Sequence, residues 1–230
     1  MTENNEINNI IHQAKSEARA DIIKQFFVSN RKILKIIASS ALVLIVAFVA
    51  FDAYQTSQEK KFSIVLQQSI IDQQEGNLDK AKNSLKEVVD SKVAPRNIKA
   101  LASLRLAALL LDENKKAEAV AIYQKVNSCV SCDSYLKDLA GLLTVRVWLS
   151  DENEIQKEDL LVRIEKIEAN SKELRYQISE QKGWFELLKN NLDKSYAIFE
   201  SLAKNPEVDE TLKKRAEEAM KIVVSNGYSK

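Results

Sequence analysis

Two kinds of hydrophobic patterning alternate along this chain of 230 residues. The first is continuous: Ile36 to Phe51 are sixteen consecutive residues without a charge. With the rim residues Lys35 and Asp52 to Tyr54 the stretch reaches about 20 residues, and at the helical rise it covers roughly 30 Å, the hydrocarbon thickness of a bilayer. No polar stripe interrupts it, so the pattern predicts a membrane-spanning helix over 33–54. Ser39 and Ser40 can bond back to the preceding turn, Lys35 can snorkel to one interface, and Tyr54 suits the other. A cleaved secretory signal fits poorly, because cuts after Ala47, Ala50 or Ala53 would leave the bulky Ile45, Phe48 or Phe51 where a small residue is required.

The second kind is periodic. Ile7, Ile10, Ile11, Ala14, Ala18, Ile22, Phe26 and Phe27 recur at three- and four-residue steps, one face of a helix, with most charges elsewhere around it. This stripe fits a helix lying on the membrane surface or one docking against a membrane partner. Beyond the apolar run, turn-like triplets at Gly76-Asn77-Leu78, Asn114-Lys115-Lys116, Glu152-Asn153-Glu154 and Asn190-Asn191-Leu192 follow one another every 38 residues. In register with them stand Leu85, Tyr123, Leu161 and Phe199, then Val88, Val126, Ile164 and Leu202. The position four residues before the first of these sets holds the small residues Ala81, Ala119 and Ser195, and breaks at Lys157.

Amphipathic segments such as "FSIVLQQSIIDQQ" and "AEAVAIYQKV" flank each turn, so the unit is a pair of antiparallel helices. One such hairpin cannot bury both its faces; stacked hairpins share a core. Pro95 and Pro206 fall between units, where a helix must stop. "DETLKKRAEEAMKIVV", with its heavily charged face, suits a terminal cap. The expectation is an all-α chain: one N-terminal transmembrane helix, then a solenoid of about four hairpins over 55–230 with a capping helix.

Composition adds weight to helices joined by short turns, since the whole chain holds four glycines and two prolines. The formal charge of +1 gives no drive toward nucleic acid, and no basic cluster interleaved with aromatics occurs in the outer part. Charge distribution matters more than its sum. Lys15, Arg19, Lys24, Arg31, Lys32 and Lys35 precede the apolar run, and only Lys60 and Lys61 follow closely. Cationic flanks stay on the cytoplasmic side. The expected organisation is therefore a cytoplasmic amphipathic segment at 1–32, the spanning helix, and a periplasmic domain at 55–230 in the inner membrane of a bacterium.

The small residue, the large or aromatic residue four on, the apolar residue three later and a closing proline resemble the second helix of the tetratricopeptide repeat. They are clearest as Ser195, Phe199, Leu202 and Pro206, with Gly183 in the first helix. The period of 38 exceeds that family's usual 34, and Lys157 departs from the pattern. With the anchor included, the chain resembles the family of ancillary subunits of the bacterial SecYEG translocon, the YfgM type. The local element of that resemblance is Phe26-Phe27-x-x-Asn30-x-Lys32, just before the membrane. The resemblance implies a periplasmic repeat domain beside the translocon, association with a membrane-anchored chaperone of the PpiD type, and transfer of unfolded secreted polypeptides to periplasmic folding factors. A scaffold for a cell-wall or division complex is the rival reading.

Little in the chain suggests chemistry of its own, so the expected role is non-enzymatic, without cofactor or metal. Cys129 and Cys132 in "NSCVSCDS" are its two cysteines. In an oxidising compartment they are expected to form a short-loop disulfide, with a redox adaptor as the alternative. A metal site would need more ligands, and His12, the lone histidine, falls on the other side of the expected membrane. The outer glycines are too scattered for a phosphate-binding loop, and carboxylates alternate with lysines as on a solvated helical face. Trp148, Trp184 and Phe185 fall on first helices of the units and are either core or contacts in a polypeptide groove.

Overall fold

The structure is a computed structural model and describes residues 29–229. Among these residues it contains ten helices and no strand. They are α1 (Arg31–Gln74), α2 (Leu78–Asp90), α3 (Arg96–Asp112), α4 (Lys116–Asn127) and α5 (Ser134–Leu149), followed by the four-residue α6 (Glu152–Ile155). Then come α7 (Leu160–Asn170), α8 (Arg175–Leu188), α9 (Leu192–Lys204) and α10 (Glu210–Ser225). The chain divides into two compact units, Met1–Ser57 and Gln58–Lys230. The amphipathic stripe over 7–27, including Phe26 and Phe27, lies outside the described residues. Asn30 is half-buried and Lys32 exposed.

In the first unit, the apolar part of α1 leaves its side chains uncovered: Leu44 is 69% and Phe48 71% exposed. This helix is long and apolar enough to cross a membrane. The span expected over 33–54 lies in α1, which continues as a helix to Gln74. No Gly, Asn or Pro interrupts residues 55–61, so no residue there favours leaving the helical region.

The second unit is a stack of helical hairpins: the end of α1 with α2, α3 with α4, α5 with α6 and α7, and α8 with α9, closed by α10. Three of the four hairpin turns are built alike. Gly76, Asn114 and Asn190 adopt left-handed conformations, φ 80°, 60° and 59°. In each, the amide of the following residue bonds the carbonyl five residues back, Asn77 to Asp72, Lys115 to Leu110 and Asn191 to Glu186, all at 2.8 Å. The left-handed residue itself bonds three back, at 3.1, 2.9 and 2.9 Å. These paired bonds satisfy the last carbonyls of the first helix and reverse the chain. Gly and Asn are the residues that bear this conformation at least strain.

Close packing within the first, second and fourth hairpins depends on small residues facing large ones. Ser69, Ala107 and Gly183 occupy one position of the first helices, 38 residues apart for the first two and at twice that interval for the third. On the second helices Leu85, Tyr123 and Phe199 are buried, and so are Ala81, Ala119 and Ser195. At Gly183 a Cβ would stand 2.8 Å from two ring carbons of Phe199. The Ser195 hydroxyl donates to the Gly183 carbonyl at 2.9 Å across the same crossing.

The third hairpin departs from the expected turn. Glu152-Asn153-Glu154 is not a turn but most of α6, and the second helix restarts at Leu160. Two residues explain this. Val145 stands where the other units have Ser, Ala or Gly, and Lys157 stands where they have Ala or Ser, so the helices have no room to cross closely beside the turn. Lys157 instead lies between the two helices with its ammonium on Glu154 at 2.6 Å. The register then shifts by one: Leu160 is fully buried and Leu161, expected in the core, is only half-buried, while Ile164 keeps its buried place.

Three clusters of buried apolar side chains make up the core. Phe62 to Val147 forms the first, Leu142 to Phe185 the second, and Phe199 to Val223 the third. Val88 and Val126 belong to the first, and Leu202 to the third.

Candidate functional site

The loop between α4 and α5 is tied down on both sides. Cys129 and Cys132 are joined, S–S 1.99 Å, with their Cα atoms 5.5 Å apart. Asp133 caps α5, accepting from the amides of Tyr135 at 2.9 Å and Leu136 at 3.4 Å. Its own amide donates to the Asn97 side chain at 2.9 Å, and the Arg96 guanidinium donates to the Ser131 hydroxyl. The loop is thereby fastened to the start of α3. A redox thiol pair gains its reactivity by sitting at a helix N-terminus, where the dipole stabilises a thiolate. Here the Asp133 carboxylate holds that place, which suits a structural clasp better than an exchange site.

Beside this clasp opens a cavity of about 220 Å³ between α2, α3 and α4. Val89, Ala100, Ile122 and Val126 give it an apolar wall, and both half-cystines close one side. Arg96, Lys99 and Lys125 stand around it, and no acidic side chain lines it. None of these three cations forms an ion pair among the described residues, whereas Lys82, Lys115, Arg163, Lys182 and Arg215 all do. Their charges have no motif-like spacing in the sequence; only the three-residue step from Arg96 to Lys99 at the start of α3 marks a common face.

The aromatic residues expected as core or groove contacts fall mostly inside. Trp148 is 3% and Phe185 4% exposed, so neither is available to a partner. Both face the shared core of the second cluster, and the Arg163 guanidinium lies 4.0 Å from the Trp148 ring centre. Trp184 is half-buried and meets Phe199 edge-on at 5.0 Å between centroids.

Charged groups act as ties between hairpins. The Asp138 carboxylate, buried on α5, accepts from the amides of Lys172 at 2.6 Å, Glu173 at 2.7 Å and Leu174 at 3.2 Å. Glu180 on α8 and Arg215 on α10 form a two-bond pair at 2.8 and 2.7 Å, which keeps the guanidinium charged above its ordinary value. Bonds from Lys115 and Lys82 hold the Glu113 carboxyl down to about 2. Among the described residues no group of three or more His, Cys, Asp or Glu side chains could hold a metal ion.

Residues 64–146 match the family described as tetratricopeptide repeat-like domain. No curated protein and no solved structure matches the chain. The match spans the first two hairpins and most of α5, and so includes the disulfide loop and the cation-ringed cavity. Residues 64–146 of the second unit are thus a tetratricopeptide-like helical-repeat region, a fold that is typically a non-enzymatic scaffold for protein–protein interaction, and the hairpins after them continue the same all-helical stack.

Proposed function

We propose that the protein is a single-pass inner-membrane component whose periplasmic repeat domain binds polypeptides beside the SecYEG translocon and passes them to a membrane-anchored chaperone of the PpiD type. The observation that carries this reading is the union, in one chain, of an uncovered apolar helix and a repeat domain of an interaction fold. The helix anchors the domain in membrane lipid, the excess of Lys and Arg before it keeps the N-terminus in the cytoplasm, and the repeats present the binding surface. The Cys129–Cys132 clasp fits an oxidising compartment, which supports the outward orientation.

Extraction of the tagged native protein in mild detergent, with identification of what accompanies it, tests the reading. Translocon subunits and a periplasmic chaperone are expected in the eluate. Cell-wall or division proteins in their place would make the domain a scaffold of another envelope complex and end the secretion reading.

A further inference from the structure

We infer that the cavity beside the Cys129–Cys132 clasp is a docking site for an acidic polypeptide segment that inserts one apolar side chain. The inference rests on the reading of the repeat domain as a polypeptide-binding module and adds where on that module a segment sits and what chemistry it carries.

Size comes first. About 220 Å³ is several times the roughly 30 Å³ of one water, yet smaller than the roughly 300 Å³ at which small-molecule pockets begin. That is space for a side chain rather than for a cofactor. The apolar wall of Val89, Ala100, Ile122 and Val126 selects a hydrophobic one.

The repeat itself supplies a comparison. One period of 38 residues carries Val89, Ser103 and Cys129 of this cavity onto Asn127, Gly141 and Ile167. In the later unit that space is filled: a Cβ on Gly141 would lie 2.7 Å from the Ile167 Cγ2 and 2.9 Å from the Asn127 Nδ2. Asn127 is held there by its bond to the Lys137 carbonyl at 2.9 Å. The cavity is therefore no property of the fold. It exists because Val89, Ser103 and a clasped half-cystine replace residues that interlock one repeat later.

Charge decides the occupant. Lys99 and Lys125 have no ion-pair partner among the described residues, and Arg96 spends its guanidinium on a neutral hydroxyl, that of Ser131. Three uncompensated cations around an apolar recess repel a basic segment and attract carboxylates flanking the inserted side chain.

The test is fluorescence anisotropy of the full chain, in nanodiscs of neutral lipid, with a labelled DELDE peptide as the probe and KKLKK and DEGDE as controls. DELDE is expected to bind at least about tenfold tighter than either control, and less tightly as salt rises. Ser103→Leu, which fills the recess, and Lys125→Glu, a change on an exposed side chain that leaves the fold intact, are each expected to weaken it at least about tenfold. Unchanged DELDE binding in both variants, or equal binding of KKLKK, overturns the inference. So does failure of DELDE to bind while phosphatidylglycerol vesicles are captured through Lys125, which would assign the cations to lipid. Translocon subunits recovered on extraction together with no probe binding remove the cavity site alone; probe binding without those subunits removes the translocon reading alone.

Discussion

Asp138→Ala should loosen the joint between the third and fourth hairpins more than any other single change of one polar group. One carboxylate oxygen of Asp138 receives three backbone amides, those of Lys172, Glu173 and Leu174. A hydrogen bond to a charged group is worth about 1.5–3 kcal/mol, but three on one oxygen are not additive, and water can take over donors at the exposed residues 172 and 173. The amide of the buried Leu174 has no such substitute. The expected loss is about 3 kcal/mol for Ala, and about 1–2 kcal/mol for Asn, which keeps an acceptor and gives up the charge. For a domain of this size that is a fall in Tm of roughly 6–12 °C for Ala. Thermal melts by circular dichroism give the magnitude, and amide exchange gives the place: α7 and α8 should exchange faster while α3 and α4 stay protected, because repeat arrays lose stability through nearest-neighbour interfaces. A loss under about 1 kcal/mol in Ala, or a change in exchange spread evenly over the array, would refute the reasoning.

Other changes test other ties. Glu113 titrates near 2 in the fold against 4.5 ordinarily, so its stabilising effect is complete above about 4.5 and disappears as pH falls toward 2; Glu113→Gln should flatten the melting curve across that window and leave pH 7 to 9 unchanged in slope. Cys129→Ser with Cys132→Ser opens a loop of sequence separation 3 and should cost about 2 kcal/mol, read by melting; alkylation of native protein should find both thiols blocked. Arg215→Ala strands the buried Glu180 and should cost about 1–2 kcal/mol, below a fully enclosed pair because the Arg215 side chain is about half exposed; a double-mutant cycle with Glu180→Gln isolates the coupling. Gly183→Ala forces the Phe199 ring aside and should destabilise by about 1 kcal/mol net of its gain in helix propensity, while Phe199→Leu in the same chain should recover part of it.

What the residue pattern revealed was whatever depends on local backbone chemistry. Gly76, Asn114 and Asn190 head their triplets because a hairpin turn needs a left-handed residue, and that need is written in single positions at a fixed spacing. The helical nature of the chain, the uncovered apolar stretch and the buried Leu85, Tyr123 and Phe199 follow from periodicity in the same way. The third hairpin escaped because its turn depends on how closely two helices can approach, a property of Val145 and Lys157 together. Lys157 alone was visible as a break, but the one-residue shift to Leu160 requires knowing what faces it. The Asp138 tie joins a side chain to the backbone of a loop more than 30 residues on, the cation-ringed cavity gathers side chains from three helices, and neither leaves a local mark beyond a charge in an otherwise apolar run, "DLAGLL".

These departures fall together for a reason. Where small faces large, as at Gly183 and Phe199, close helix packing fixes the hairpin, with the Ser195 hydroxyl bonded to the Gly183 carbonyl across the same crossing. The third hairpin keeps such a contact at Gly141 and Ile167 but has Val145 where the fourth has Gly183, and polar groups add further ties around it: Asp138 gathers the amides after α7, Arg163 bridges Trp148 and Glu154, and Lys182 reaches Glu168 at 2.6 Å. Polar ties hold a geometry by direction rather than by exclusion of space, and each can break alone without opening a cavity.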